Sequence, residues 1–316
     1  MVDIPHIDAL TAQDVASILQ VNKDTVYGLA KAGTLPSYNV GRKLRFGLDD
    51  VQAFIDASRG GRQEPPSPTG ARSFAGGDSG SIASGAFIIG GHDMALDILA
   101  NYLSATGIPA LRSYRSSYQE LADLYLGRVQ AAAIHLWDSE TDSYNLPYVK
   151  RLAPGIPLVV LHLATRSQGL LVKKGNPLGL SGWPDLVHRP LVLANREKGS
   201  GSHVLLDEHL RLLEANPHAI AGYEREILSD LAQGTLIARG GADVGIGTER
   251  VFRQIDGLDY RPLQTERIAL VIAKTPSTER VIRTVRDLLR SGTFRRELVA
   301  LSGYDFSHLG DRLYET

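Results

Sequence analysis

The stretch Gly85-Ala86-Phe87-Ile88-Ile89-Gly90-Gly91-His92-Asp93 decides the fold class of most of this chain. The apolar run within it is typical of a buried strand, and the glycine pair that follows predicts a turn. Asp93 can cap a helix from Met94 to Ser104. A buried strand that passes through a glycine turn into a helix is the repeating unit of α/β domains.

The same alternation continues downstream of this stretch. Further strands are predicted at 108–112, 131–136, 157–163 and 169–172, and a helix at 118–126. Strands and helices that alternate at this spacing predict parallel sheets with helices on both faces. In such folds, ligands bind outside the carboxyl ends of the strands.

Upstream, residues 59–81 read RGGRQEPPSPTGARSFAGGDSGS and have the composition of a flexible linker. Few apolar groups are available there to offset the entropy of ordering the chain. The alternative is a surface loop within one domain. We predict domains at 1–58 and 82–316, joined by a linker at 59–81.

The first 58 residues predict two short helices, a hairpin and a final helix. Thr11-Ala12-Gln13-Asp14 can cap the first helix, and Asn22 or Asp24 can start the second, which continues to Lys31. Alternating residues around Gly41-Arg42 predict a tight hairpin, and the final helix starts near Leu48. Hydroxyl and cationic side chains on the second helix and the hairpin are candidates for contacts to DNA; they are Lys23, Thr25, Tyr27, Lys31, Arg42, Lys43 and Arg45.

Composition excludes several classes of protein. The chain contains 34 Lys and Arg against 35 Asp and Glu, and it has no cysteine. Disulfide scaffolds, thiolate metal sites and cysteine nucleophiles are therefore excluded. The sequence shows neither a membrane-length apolar run nor a signal-peptide pattern, so we expect a cytoplasmic protein without a membrane partner.

Motifs of the common enzyme classes are missing from the sequence. We find no HExxH, GxSxG, Walker A or GxGxxG pattern. A nucleophilic set could be assembled from Ser202, His135 and Asp138, but only by free choice among scattered residues. We therefore expect a binding protein without catalytic residues, bound metal or cofactor.

The N-terminal segment resembles the winged helix-turn-helix of the excisionase and MerR-type families. The resemblance covers residues 8–57 and is carried by the Thr11–Gln20 helix, the Val21–Tyr27 entry, Gly33-Thr34-Leu35-Pro36 and Gly41–Phe46. It implies that the second helix enters the major groove of double-stranded DNA and that the hairpin contacts the backbone.

Residues 85–273 resemble the type II periplasmic-binding-protein fold, and more closely a molybdate-binding-like domain found fused to such helix-turn-helix modules. The segments that carry this resemblance are Gly90-Gly91-His92-Asp93, Ala133–Asp138, Tyr144–Tyr148, Gln168-Gly169-Leu170, Gly175-Asn176-Pro177, Asn195–Ser202, Gly222–Glu226 and Gly241–Gly247. The predicted fold class is therefore α/β, with an N-terminal winged helix-turn-helix and a two-lobed type II periplasmic-binding-protein-like domain.

Two segments depart from the family pattern. Ser229-Asp230 and Ser202-His203 stand where relatives often carry Thr-His and Thr-Arg. An arginine is lost and an aspartate gained, which makes the expected cleft less cationic.

Candidate ligand contacts cluster in polar loops. Gly199-Ser200-Gly201-Ser202 precedes an amphipathic helix, so its amides and hydroxyls suit an anion. His92 lies in a similar glycine turn, and Ser113, Ser116 and Ser117 lie between a strand and a helix. Trp137, Tyr144 and Tyr148 can stack on a flat ligand or close a hinge. The predicted ligand contacts are His92, Ser116, Ser117, His135, Trp137, Ser200, Gly201, Ser202 and Tyr223.

These features predict a one-component transcription regulator that binds DNA as a homodimer or a higher even oligomer. The resemblance implies molybdate or tungstate as the ligand. The alternatives are an organic or nucleotide-like anion in the same architecture, and an N-terminal module that recruits a protein.

Overall fold

The computed structural model describes residues 9–19, 23–31, 35–40, 43–47, 50–51 and 86–316. The chain divides into two compact units, Met1–Gly77 and Asp78–Thr316. The predicted linker at 59–81 lies outside the described residues.

The first unit has the helix and strand order predicted for a winged helix-turn-helix. Its elements are β1 (Ala9–Leu10), α1 (Ala12–Leu19), α2 (Lys23–Lys31), β2 (Tyr38–Val40) and β3 (Lys43–Gly47). The three strands form one sheet in the order β1-β3-β2.

The predicted cap and hairpin of this unit are both confirmed. The Asp14 N–H donates to Thr11 Oγ1 at 3.2 Å, and the Thr11 N–H donates to Asp14 Oδ2 at 2.8 Å, which is a reciprocal capping box at the start of α1. Val40 pairs with Lys43 across the hairpin, whose two turn residues lie outside the described residues. Asp50 and Val51 are helical, and the rest of the predicted final helix is likewise outside them.

A small apolar core holds the first unit together. Its buried side chains come from both helices, the segment after α2, β3 and the start of the final helix; they are Ala12, Val15, Ala16, Val26, Leu35, Phe46 and Val51.

The second unit alternates strands and helices, as predicted. Its strands are β4 (Phe87–Gly90), β5 (Ala110–Ser113), β6 (Ala131–Ile134), β7 (Trp137–Asp138), β8 (Ser143–Tyr144), β9 (Leu158–Lys173), β10 (Asn195–Arg196), β11 (Glu226–Ile227), β12 (Val244–Thr248), β13 (Leu258–Ala273), β14 (Tyr304–Asp305) and β15 (Arg312–Glu315). Its α-helices are α3 (Ala95–Ala105), α4 (Ser117–Tyr125), α5 (Leu146–Leu152), α6 (Asp185–His188), α7 (Gly201–Leu212), α8 (Asp230–Ala238), α9 (Glu249–Gln254), α10 (Glu279–Arg290) and α11 (Gly292–Val299).

The prediction of purely parallel sheets is wrong. Strands β5, β4 and β6 pair in parallel, but β13 pairs antiparallel with both β6 and β9, and β12 pairs antiparallel with β9. The sheet order is β12-β9-β13-β6-β4-β5, with β14 and β15 also paired to β9. The sheet is mixed because the neighbouring long strands β9 and β13 run in opposite directions.

Those long strands also correct a second prediction. Residues 157–163 and 169–172 were expected to form two strands, but β9 is one strand of 16 residues, and β13 has the same length. The polar residues between the two apolar runs stay extended because they pair with β13 along the whole length. Strands β9 and β13 pair with each other over this length with two register shifts, and their residues contribute to several of the apolar cores.

Separate apolar cores define two lobes on these strands. We call residues 86–164 and 269–316 the first lobe, residues 168–264 the second lobe, and the segments 165–167 and 265–268 the connecting ribbon. Two cores flank the sheet of the first lobe, and two others lie almost wholly in the second. Among the described residues, no helix is both long enough and apolar enough to cross a membrane.

Candidate ligand cleft and DNA-binding module

A cavity lies between the two lobes, at the carboxyl ends of several strands. It encloses about 490 Å³, including the part that opens to solvent. We call it the inner chamber, and its lining residues are His92, Asp93, Arg115, Ser116, Ser117, His135, Arg166, Arg196, Glu197, Ser200, Ser202, Asp230 and Thr248.

Helix N-termini from both lobes meet at this chamber. Ser116 is the N-cap of α4 in the first lobe, and Ser200 is the N-cap of α7 in the second. Amides in the first turn of a helix have no acceptor within the helix, and the helix dipole favours negative charge beside them. The chamber is therefore suited to a ligand group that accepts hydrogen bonds.

Ser116 provides a polar atom that the protein itself leaves without a partner. Its side chain is only 2% exposed, and its Oγ makes no hydrogen bond in the structure. By contrast, Ser200 Oγ accepts from the His203 N–H at 3.3 Å, and Ser202 Oγ accepts from Gln168 Nε2 at 2.7 Å. A buried hydroxyl without a partner costs free energy, so Ser116 Oγ is a natural contact for a bound molecule.

A buried ion-pair network forms the floor of the chamber, on the connecting ribbon. Glu266 accepts from Arg166 Nε and from His135 Nδ1, the latter at 2.6 Å. Arg166 also pairs with Asp93, with 3.2 Å between Nη1 and Oδ2. Burial alone would raise the pKa of Glu266, but Arg166 and His135 outweigh it and lower that pKa to about 2.

A second ion-pair group forms the wall contributed by the second lobe. Arg196 donates to both carboxylate oxygens of Glu197, at 2.8 and 2.9 Å, and to the Ile227 carbonyl at 2.9 Å. Its remaining terminal nitrogen pairs with Asp230. The charge of the guanidinium is thus paired by two carboxylates of the protein.

The charges of the chamber lining therefore compensate one another. Three arginines and three carboxylates line it, and the two most buried arginines are both paired. What remains for a ligand is mainly serine hydroxyls and amides at helix N-termini. These groups are hydrogen-bond donors and oriented dipoles, which are the features of sites that accept negatively charged groups.

The lobes are closed on each other in this structure. The Tyr118 N–H in the first lobe donates to the Gly199 carbonyl in the second at 3.0 Å. Gly201 packs so closely on His135 that a Cβ at this position would clash with the imidazole ring. Glycine is therefore needed at 201 for the lobes to meet.

Six predicted ligand contacts line the inner chamber together: His92, Ser116, Ser117, His135, Ser200 and Ser202. Gly201 lies directly beside them, against His135. Partial desolvation lowers the pKa of His92, so the neutral imidazole is favoured there.

Trp137 and Tyr223 are not among the residues that line the chamber. Trp137 is buried in the core of the second lobe, and its ring stacks on His209 with centroids 4.5 Å apart. Trp183 stacks on the opposite face of His209 at 3.9 Å. Tyr223 belongs to the same core and donates its hydroxyl to Asp207 at 2.7 Å.

Sequence reasoning missed the charged residues of the chamber. Arg166 lies between Thr165 and Ser167 in a polar stretch that separates two apolar runs, which is a signal of a strand crossing a polar cleft. Arg196 and Glu197 directly precede the Gly-Ser loop. Their proximity to that loop could have marked them as part of the site.

In the helix-turn-helix module, the predicted DNA contacts lie on α2 and β3. Lys23, Thr25 and Tyr27 are exposed on α2, with the Lys23 ammonium 5.9 Å from the centre of the Tyr27 ring. Arg45 is half-buried on β3, where it donates to the Leu44 carbonyl at 3.1 Å.

The other three predicted DNA contacts are less fully described. Lys31 ends α2 and Lys43 begins β3, but their side chains are not among the described groups. Arg42 lies outside the described residues. The hydrogen bonds of Thr11 lower the pKa of Asp14 at the start of α1, and the nearby charge of Arg45 adds to this effect.

Comparison with known proteins agrees with this architecture. The family described as a PBP superfamily domain matches residues 100–290, and a helix-turn-helix domain matches residues 9–59. The chain is 35% identical over 317 residues to the uncharacterized protein YvgK of Bacillus subtilis, covering 97% of this chain and 98% of YvgK. The chain therefore belongs to the PBP superfamily and carries an excisionase-like helix-turn-helix at its N-terminal end.

Other similarities are partial or structural. An uncharacterized protein encoded beside a ferredoxin gene of Clostridium pasteurianum is 45% identical over 107 residues, which cover 34% of this chain and 95% of that protein. The sulfate-binding protein SubI of Mycobacterium tuberculosis is 14% identical with a TM-score of 0.49, covering 69% of this chain and 85% of SubI. A helix-turn-helix joined to a PBP superfamily domain defines the class of ligand-sensing, DNA-binding regulators.

Proposed function

We propose that this protein is a one-component transcription regulator that binds double-stranded DNA through α2 and the hairpin, and a small anion in the inner chamber. It acts by binding, without a cofactor and without catalysing a reaction. The observation that carries the ligand site is the buried, unpartnered Ser116 Oγ at a helix N-terminus, in a chamber bordered by a second helix N-terminus from the other lobe.

Molybdate and tungstate are the first candidate ligands. A tetrahedral oxyanion can accept several hydrogen bonds from hydroxyls and amides at once, and helix dipoles stabilise its charge. The compensated charges of Arg166 and Arg196 support binding through neutral donors. This arrangement supports an oxyanion as the ligand.

An organic or nucleotide-like anion is the second candidate. The lining includes the carboxylates of Asp93, Glu197 and Asp230, which can accept hydrogen bonds from a ligand. An inorganic oxyanion without bound protons has no donor to offer them, whereas a hydroxyl or amino group of an organic molecule has. Asp230 is also one of the positions that depart from the family pattern.

Isothermal titration calorimetry with molybdate, tungstate, sulfate, phosphate and common organic acids tests the ligand proposal. We expect Ser116→Ala to weaken binding at least tenfold, since about 1.5 kcal/mol is at stake in a hydrogen bond to a charged group. The thermal stability of the ligand-free protein should not fall, because the removed hydroxyl has no partner. Ser277→Ala, at an exposed serine, is the matched control.

Unchanged affinity of Ser116→Ala for every anion that binds the parent protein would move the site away from the inner chamber. The paired change Ser200→Ala with Ser202→Ala tests the second lobe in the same way. Because Ser200 also caps α7 through the His203 amide, its ligand-free stability needs to be measured alongside.

DNA binding is tested by charge removal on the hairpin. We expect Arg42→Ala, Lys43→Ala and Arg45→Ala each to reduce the slope of log affinity against log salt by about 1, because each lost phosphate contact releases about one counterion fewer. An unchanged slope in the triple variant would refute phosphate contacts by the hairpin. It would favour the alternative in which this module recruits a protein.

Ligand and DNA binding are coupled only if the ligand prefers one arrangement of the DNA-binding modules. A hundredfold preference corresponds to about 2.7 kcal/mol of coupling. We propose a homodimer or a higher even oligomer, since paired helix-turn-helix modules read half-sites one helical turn apart. Sedimentation velocity with and without ligand measures this assembly.

A further inference from the structure

The inner chamber opens into a second space that the proposed function does not use. This outer chamber encloses about 760 Å³, including its open side. It shares five lining residues with the inner chamber, so the two are continuous: His92, Arg166, Arg196, Asp230 and Thr248. A molecule held in the inner chamber can therefore extend outward without a gap.

Apolar side chains from both lobes line the outer chamber. Met94 of the first lobe is 39% exposed, while Leu228 and Leu231 of the second are 73% and 50% exposed. Single exposed leucines are common, but here three large apolar side chains border one concave space. Val251 adds to this apolar lining, so the outer chamber offers apolar contacts that the inner chamber does not.

Polar side chains also line the outer chamber, among them Ser229, Gln254 and Tyr304. Tyr304 donates its hydroxyl to Asp93 Oδ2 at 2.9 Å, and burial raises its pKa to about 12, so its hydroxyl remains protonated and paired. Arg250 also lines this space. The two chambers together present a polar pocket that continues into a space of mixed lining, in which four apolar side chains accompany the polar ones.

We propose that the ligand of this cleft is an amphipathic organic acid, with its anionic head in the inner chamber and an apolar body against Met94, Leu228 and Leu231. This inference rests on the proposed function, because it takes the inner chamber as the anion site. The expected ligand is an organic carboxylate or phosphate ester whose non-polar part determines affinity, in preference to a bare inorganic oxyanion.

Two matched series of probes test the proposal by calorimetry on the full chain. One runs from acetate to octanoate, and the other from inorganic phosphate through butyl to octyl phosphate. Molybdate is included as an anion that has no apolar part. In at least one series, we expect affinity to rise up to about fourfold for each added methylene, because burying one methylene is worth about 0.8 kcal/mol. The series that shows the rise identifies the head group.

The paired change Leu228→Ser with Leu231→Ser should flatten this dependence on chain length and leave the affinity for the shortest member within about twofold. Leu212→Ser, at a leucine that is 56% exposed at the end of α7, is the matched control and should leave the series unchanged. If the two leucines contact the apolar part of the ligand, the chain-length dependence should flatten while the affinity for the shortest member is kept. A general loss of stability would instead weaken binding of the short and the long probes alike.

Three outcomes would overturn the proposal, and they are distinguishable. Tight binding of molybdate, with no gain from added methylenes, would refute the apolar body and leave the proposed oxyanion site intact. A changed sedimentation coefficient in the leucine variant, with an unchanged chain-length series, would assign these leucines to an interface between subunits. Absence of binding by every anion would refute the proposed function and this inference together.

Discussion

Replacing Glu266 by glutamine should destabilise the ligand-binding domain at neutral pH, and the effect should disappear at acidic pH. Glu266 is 1% exposed and receives hydrogen bonds from both Arg166 and His135. The substitution keeps the shape of the side chain but removes the charge that these two partners require. Arg166 then remains buried with only Asp93 as a carboxylate partner.

The size of the effect follows from the pKa of Glu266. A carboxyl whose pKa falls from 4.5 to about 2 on folding contributes about 3 kcal/mol at pH 7. Loss of one partner from a buried ion pair costs a similar amount, about 3–5 kcal/mol. The contribution is fully present above pH 4.5 and is lost as the pH falls from there through 2, because protonation then removes the same charge.

Urea unfolding followed by tryptophan fluorescence measures this loss. The chain has two tryptophans, Trp137 and Trp183, and both lie in the ligand-binding domain, so the signal reports that domain within the full chain. Glu226→Gln, at an exposed glutamate, is the control. The reasoning is refuted if Glu266→Gln changes the free energy of unfolding by less than about 0.5 kcal/mol at pH 7, or if the difference from the parent protein does not shrink between pH 4.5 and 3.

Three further predictions address other parts of the molecule. Gly201→Ala should weaken anion binding at least tenfold, because the added methyl group would clash with His135 and hold the lobes apart; Gly182→Ala, where an added methyl group meets only ordinary contacts, should leave calorimetric affinity unchanged. Molybdate affinity should rise as the pH falls from 8 to 6, because a bound anion favours protonation of His92. In the free protein, desolvation lowers the pKa of His92; the charges of Arg196 and His135 lower it further, and those of Glu197 and Glu120 oppose them. A pH dependence that persists in His92→Gln would exclude this residue as its source. Thr11→Ala should destabilise α1 by about 1 kcal/mol through loss of the capping box, seen as faster hydrogen exchange of α1 amides with those of α7 as the internal control.

The sequence was sufficient to predict the features that depend on contacts between residues that are close in the chain. In the Thr11–Asp14 cap and at Ser200, side chains bond neighbouring backbone amides, and strands β2 and β3 of the hairpin are close neighbours in the sequence. Such contacts span a few residues, so the sequence contains the necessary information in one place. Four of the nine predicted ligand contacts, Ser116, Ser117, Ser200 and Ser202, lie at helix starts, and they line one chamber together with His92 and His135.

Contacts between distant residues were not predictable in the same way. The Arg166–Glu266 pair joins strands that are 100 residues apart, and its formation depends on the pairing of β9 with β13. Trp137 was assigned to the ligand because an aromatic residue after a strand suits either a cleft or a core. Only the packing of Trp137 on His209, which is contributed by α7, distinguishes these alternatives.

The order of strands in the first lobe has a consequence for how the protein is made. Strand β13 lies between β9 and β6 in the sheet, yet it follows the entire second lobe in the chain. During translation, β4, β5, β6 and β9 are therefore synthesised well before β13, which pairs with both β6 and β9. The second lobe is contiguous in sequence, and it ends with the first part of β13, which pairs with β9. The sheets of both lobes are thus completed late and nearly together. This order favours the folding of the two lobes as one cooperative unit during synthesis.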